Sequence, residues 1–257
     1  MCNLYELYYD IFGWAKAHED LLKTHLSLPG GVAFEASNLD LSYPQFIGPN
    51  RLAPTVRLGP AGEHHVHFAR WGMPSSRKRM VELADKRVAR LQSQGKAYDY
   101  DYDDLLRMEP DPGITNIRDL ENPHWRRWQA VENRCVVPIT AFSEPDQDLT
   151  RSLKPVWFSQ APAPFAYFAG VWTPHACVKT IKAGWEEMEV FGFLTTAPNA
   201  VVAPYHKKAM PVFLRSAEEV DVWLRAPWKD AIALQRPLPA ENLRVIDPPP
   251  KREAVAA

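Results

Sequence analysis

Short alternating segments joined by proline-marked connections, a few stretches of helical periodicity and no internal repeat predict a single α+β domain. Proline outnumbers glycine, 24 against 12, the reverse of ordinary usage. Proline fixes φ and gives up a backbone donor, so such a chain favours loops and strand ends over long uninterrupted helices. At 257 residues, 46% of them hydrophobic, the chain is long enough to bury a sizeable core, and no shift in composition marks a second domain.

Taken in order, Ile11–Leu28 has a helix-compatible pattern that Pro29-Gly30-Gly31 stops. A proline-marked loop follows over Tyr43–Pro54. Thr55–Leu58 and His65–Arg70 alternate and read as strands. His65 and His67 share a strand face with Glu63. At about 3.3 Å per residue, however, Glu63 and His67 start roughly 13 Å apart. A solvated strand face, with His64 beside it, is expected there instead of a metal site. Ser75–Gln94 carries Met80, Ala84, Val88 and Leu91 at helical spacing. Its outer face holds Arg77, Lys78, Arg79, Lys86, Arg87 and Arg90, the one strong basic concentration in the chain.

Asp99–Asp104 is acidic and reads as a surface loop entering a short helix. Asn122-Pro123 ahead of His124–Trp128 has the form of an N-cap with proline at the first helical position. Strands then dominate: Arg134–Phe142, Pro155–Ser159, Phe165–Trp172, Met188–Thr196 and Met210–Arg215. Ser216-Ala217-Glu218-Glu219 is a capping box that opens a helix through Leu224. Asn242–Ile246 is a last strand, and Pro248–Ala257 a disordered tail.

A net charge of −1 excludes a globally basic nucleic-acid coat, so any such contact must come from a local patch. The cysteines, at 2, 135 and 177, are odd in number and form no CxxC pair. No zinc or disulfide framework follows, which fits a reducing compartment, and no metal or cofactor is expected. There is no signal-like amino terminus and no apolar run near the roughly 18 residues a span needs, so a cytoplasmic protein without membrane contact is expected.

The chemistry begins at Cys2. Removal of Met1 is favoured when residue 2 is small, and it leaves an α-amine and a thiol on neighbouring carbons. The amine, with a pKa of about 7.7–8.0, is partly free base at neutral pH. The thiol, near about 8.5, contributes some thiolate. Such a 1,2-aminothiol condenses with an aldehyde to an imine and closes to a stable thiazolidine, which no internal cysteine can do.

Further strings put polar residues where strand patterning calls for apolar ones: Thr115-Asn116-Ile117-Arg118, Ala141-Phe142-Ser143-Glu144-Pro145, and Pro204-Tyr205-His206-Lys207-Lys208-Ala209-Met210-Pro211. Together with Met1-Cys2-Asn3, Arg70-Trp71-Gly72-Met73-Pro74 and Arg134-Cys135-Val136-Val137-Pro138, this ordered set resembles the SRAP family, the SOS-response-associated peptidases and abasic-site processing proteins. The resemblance runs over residues 1–240, with residues 75–112 as a family-variable helical insertion and 241–257 as a terminal strand and tail. It implies a mixed, largely antiparallel, barrel-like β core with peripheral helices.

It also implies a partner, single-stranded DNA carrying an abasic site, whose ring-opened sugar exposes an aldehyde. Cys2 would be the covalent residue. Glu144 would move protons during imine formation and His206 would shuttle them at the sugar oxygen. Asn116 would be a neutral, preorganised donor. Arg70, Arg118, Lys207 and Lys208 would meet phosphates, and Trp71 and Met73 would wedge against bases beside the lesion. The protein would be a monomer, nucleoid-associated during DNA damage, and its peptidase label implies removal of its own Met1. Two other readings stand beside this one. A cysteine peptidase acting on other proteins would use Cys2 and His206. A noncovalent single-strand-binding module would rest on Trp71 and the basic helix, with Arg79, Arg87 and Arg90.

Overall fold

A computed structural model of the chain describes residues 2–8, 45–95, 101–147, 154–162 and 165–251. In chain order its strands are β1 (Leu4–Glu6), β2 (Phe46–Ile47), β3 (Leu52–Leu58), β4 (His64–Trp71), β5 (Asn116–Ile117), β6 (Arg134–Ile139) and β7 (Ala141–Pro145). These are followed by β8 (Pro155–Gln160), β9 (Ala166–Val178), β10 (Trp185–Thr196), β11 (Met210–Pro211), β12 (Phe213–Leu214) and β13 (Leu243–Ile246).

The ring β10-β4-β3-β6-β9 closes when β9 pairs back onto β10. All of its seams are antiparallel except β10–β4, which is parallel. Closure removes the edges of these strands. It suits a chain whose β6, Arg134–Ile139, is buried along its whole length. The expected mixed, largely antiparallel barrel with peripheral helices is the fold observed.

A second sheet, β13-β8-β7-β1-β2, packs its aromatic face on this barrel. Tyr5 of β1 meets Trp71 edge-on at 5.2 Å between ring centroids and also touches Phe168 and Phe193. Phe142 of β7 stacks on Phe158 at 5.1 Å and meets Phe168 and Phe213. Such pairs contribute about 0.5–1.5 kcal/mol each beyond their buried area, and here they weld the short β1 to the barrel.

Two runs that read as single strands change sheets midway. Arg134–Phe142 breaks at Thr140, whose amide donates to the Glu6 carbonyl (2.8 Å) and whose hydroxyl donates to the Glu6 carboxylate (2.7 Å). Met210–Arg215 breaks at Val212, so that β11 pairs with β10 and β12 with β9. Conversely, β9 and β10 run past their expected limits of Trp172 and Met188 as a two-stranded ribbon, Val178 opposite Trp185. The ribbon residues, 173–178 and 185–187, mix polar and apolar types without a clean alternation to read, yet their backbone groups bond across it.

The basic helix spans Arg77–Ser93, capped by Ser76, whose hydroxyl accepts from the Arg79 amide (3.2 Å). Ala84 is its one buried residue, so it lies on the periphery as a solvated face. Arg87 pairs with Glu109 (3.1 Å), and Tyr102 donates to Asp85 (2.6 Å), docking the short helix Tyr102–Arg107. Asn122 caps Pro123–Arg126 as expected. In the Ser216 box, Glu219 accepts from the amide of Arg215, one residue upstream of the cap. The helix that follows, Ala217–Arg225, buries Trp223, whose indole donates to the carbonyls of Cys135 and Gly170 and closes one end of the barrel.

The histidine face is less solvated than expected. His64 is buried, His65 bonds Glu63 at 2.7 Å, and the His67 ring stacks on Trp172, because β4 lies within the closed barrel. The expected helix Ile11–Leu28, its Pro29 stop and the tail beyond residue 251 lie outside the described residues. Among the described residues no helix is long and apolar enough to cross a membrane.

Candidate active site

Four segments far apart in sequence meet where β1 begins. Strand β1 lies between β2 and β7, with Leu4 opposite Ser143. Residue 2 is thereby brought beside the end of β7 that carries Glu144. Cys2 has no exposed surface, and its thiol lies 3.4 Å from the Leu4 carbonyl. Strand β5, only two residues long, pairs in parallel with β10. It aims Asn116 across the gap between the two sheets, where Nδ2 donates to the Cys2 carbonyl (2.9 Å) and to Thr115 Oγ1 (2.7 Å). Trp71 holds that segment by donating to the Thr115 carbonyl (3.0 Å).

His206 closes a tight turn built by Asn199, whose Oδ1 accepts from the amides of Val201 and Val202. The His206 amide then donates to the Val202 carbonyl (2.9 Å). The ring Nδ1 is 3.0 Å from the Ala209 carbonyl and 3.3 Å from the Ala209 amide, so Ala209 orients the ring whichever nitrogen carries the proton. Nε2 faces Glu144 Oε2 at 3.9 Å, and both side chains are about 1% exposed. The amide of Gln147, just past β7, donates to the Tyr205 carbonyl and ties the two segments together.

Burial sets the electrostatics. It pushes the Glu144 carboxyl up to about 7, the range of a group that both gives and takes protons at neutral pH. It holds His206 below its ordinary value, although the Ala209 carbonyl opposes the shift. Burial, with the nearby Glu144 carboxylate second, lifts the Cys2 thiol well above its usual value. The site at rest thus holds a protonated thiol, a neutral imidazole and a carboxyl poised to share one proton.

Around this centre, Arg118, Lys207 and Lys208 are exposed. Arg118 donates to the Lys208 carbonyl (3.1 Å), which gathers the three cations on one rim. Gln235 braces the same corner by donating to the carbonyls of Arg118 and Thr195. Arg70 is half-buried and donates to the Asn50 carbonyl (3.3 Å). Trp71 and Met73 do not take the wedge position expected of them. Both are fully buried, Trp71 between Tyr5 and Phe193, and a ring without an exposed face has none to offer a base. Their patterning suits core packing equally well, which is why sequence alone did not separate the two roles.

Of the positioning residues, Thr115 stands in a polar string without a role of its own, and Asn199 and Gln235 fall in none of these strings. Pro198-Asn199 is a turn signal that could have marked one of them. Gln235 carries no local pattern at all. An Asn116→Asp variant should lose the donor to Cys2 and set carboxylate against carbonyl. We expect a loss of about 1–3 kcal/mol in stability, read by chemical unfolding; an unchanged unfolding midpoint would count against the bond to residue 2.

Residues 112–248 match the SOS response associated peptidase (SRAP) family, a range that holds Asn116, Glu144 and His206 and stops short of Cys2. No curated protein matches the chain. Among solved structures, a protein from Bordetella bronchiseptica is similar with a TM-score of 0.58 and 21% identity, covering 96% of this chain and 100% of its own. One from Bacteroides thetaiotaomicron has a TM-score of 0.60 and 17% identity over 96% of this chain and 92% of its own. A phage-related protein from Bordetella bronchiseptica has a TM-score of 0.57 and 14% identity, over 95% and 93%. At these identities the likeness is one of fold. With the family match spanning more than half of the sequence, the chain belongs to the SRAP family of DNA-damage-associated domains.

Proposed function

We propose that the protein captures abasic sites in single-stranded DNA through Cys2, once Met1 has been removed, as a thiazolidine crosslink. The observation that carries this reading is the hydrogen bond from Asn116 to the Cys2 carbonyl, which fixes residue 2 beside Glu144 and His206. A general nucleophile would not need its backbone held. An amine and thiol that must reach one carbon in succession do.

The order of events follows from the burial. The thiol is held protonated, so the amine attacks the aldehyde first. The carbinolamine loses its hydroxyl as water, using a proton from Glu144, and leaves an iminium. The Cys2 sulfur then adds to the iminium carbon and surrenders its proton to the Glu144 carboxylate, closing the ring. Aldehyde and aminothiol have become thiazolidine and one water. His206, whose Nε2 faces Glu144, relays protons between that carboxyl and the sugar oxygen. Asn116 Oδ1 is buried without a hydrogen-bond partner among the described residues. An ammonium at residue 2 is a donor of the right kind for it, which further supports the reading.

Purified protein should give a heat- and SDS-resistant shifted band on a denaturing gel with single-stranded DNA carrying one abasic site, and none with intact DNA. Absence of that band, with the α-amine shown free by mass spectrometry, would remove the proposal. A peptidase acting on other proteins is less well supported, since the ring nitrogens of His206 face Ala209 and Glu144. For the rim, neutralising both Lys207 and Lys208 should reduce the slope of log K against log salt by about 1.4, at roughly 0.7 for each phosphate contact on a single strand. Fluorescence anisotropy at several ionic strengths, on intact single-stranded DNA so that neither imine nor thiazolidine forms, reads that slope; an unchanged slope would remove these lysines from the phosphate path.

A further inference from the structure

On the barrel wall, away from Cys2, three side chains of metal-ligand type converge. Asp111, His175 and Cys177 each offer a donor atom, and these atoms all lie within 4.8 Å of one another. His175 and Cys177 flank Ala176 on β9, so both leave the same face of the strand. Asp111 arrives from the loop before β5, which is stitched to the end of β9 by its own amide donating to the Val178 carbonyl (2.8 Å).

The cluster has the attributes of a prepared site. The Asp111 carboxylate is held in place by two backbone amides, Ser75 to Oδ2 (3.2 Å) and Gly113 to Oδ1 (2.8 Å). Gly113 has a left-handed φ of +73°, and a Cβ there would come 2.9 Å from the Cα of Gly72, so only glycine closes this turn. Asp111 and Cys177 are buried, while His175 is partly exposed and marks the way in. His175 Nε2 and Asp111 Oδ2 are already 3.1 Å apart. A tetrahedral centre with bonds of about 2.0–2.3 Å needs donors about 3.3–3.8 Å apart. The Lys179 ammonium donates to the Asp111 carbonyl (3.4 Å). Glu186, the cross-strand partner of Cys177, leaves the same face of the ribbon.

We propose that Asp111, His175 and Cys177 bind a zinc ion, with water or Glu186 in the fourth position. One thiolate, one imidazole and one carboxylate are a donor set that suits this borderline-soft cation, and their two negative charges neutralise it. Binding expels to solvent the Cys177 thiol proton and the proton that His175 shares with Asp111. The ion clamps the Asp111–Gly113 loop to the β9–β10 ribbon. That loop leads directly into Asn116, so occupancy of the site stiffens the strand that holds residue 2.

Cobalt(II) is the probe. Titrated into the full-length, metal-free protein, it should produce at one equivalent the visible bands of a tetrahedral ion and a near-ultraviolet sulfur-to-cobalt band, both bleached by added zinc. Cys177→Ser should lose the sulfur-to-cobalt band and Asp111→Asn should bind at least tenfold more weakly, while Cys2→Ala should match the wild type. Weak octahedral cobalt spectra in the wild type would overturn the proposal even if a variant failed to fold. So would a sulfur-to-cobalt band that survives in Cys177→Ser, with that variant's fold checked by near-ultraviolet circular dichroism. The readout is independent of DNA, so failure here leaves the capture proposal untouched, and the reverse.

Discussion

Glu144→Gln should make the protein about 3 kcal/mol more stable near neutral to mildly alkaline pH while slowing lesion capture by about a hundredfold or more. The folded carboxyl titrates at about 7 against an ordinary value of 4.5. Below the ordinary value both the folded and the unfolded chain carry the proton, and the group adds no pH dependence. Between the two values the unfolded chain ionises while the folded chain keeps its proton. The unfolded state then binds fewer protons, so stability falls as pH rises through this window and the loss is complete above it. Glutamine fills the same space and never ionises, so its curve should stay flat there. Urea unfolding of both proteins across this range is the measurement. Parallel curves would mean that Glu144 carries no raised pKa, and its role as proton carrier would fall with it. The expected gain in stability is itself informative, since a buried carboxyl that costs folding energy has its use in the reaction.

Cys2→Ala should abolish the heat-resistant crosslink outright. Alanine keeps the α-amine, so an imine still forms and is trapped by borohydride, but no sulfur remains to close the ring. The variant should fold, because losing one buried sulfur at the edge of β1 costs about 1 kcal/mol. The comparison therefore separates the two bonds: trapped product in both proteins, and resistant product in the wild type only. A Cys2→Ala protein that formed resistant product as well as the wild type would remove the thiazolidine and leave an amine-only lyase.

Much of the fold could be read from local pattern. The helix over Ser75–Gln94, the Asn122 cap, the Ser216 box and strands β3, β4, β8 and β13 fall within a residue or a few of their expected places, because helical spacing, capping and alternation are short-range effects. The elements that build the site were harder. Strand β1 has three residues and β5 two, too few for any period to show. The sheet changes at Thr140 and Val212 depend on partners that the sequence places far away. Trp71 and Met73 look alike whether they face a base or a core, and burial made the choice.

Residue types and their order determined which groups this protein has to work with: a cysteine at position 2, an asparagine, a glutamate and a histidine with basic neighbours. Only the tertiary structure decided that they meet. It brings Asn116 to within 2.9 Å of the Cys2 carbonyl across 114 positions of sequence, and His206 to 3.9 Å from Glu144. It also assembles Asp111 with His175 and Cys177, a grouping that cysteine spacing gave no reason to expect. The physical reason is the same in each case. Proton affinity and metal affinity depend on burial and on neighbours, and in a closed barrel both are set by strand pairing between segments that do not adjoin in the chain.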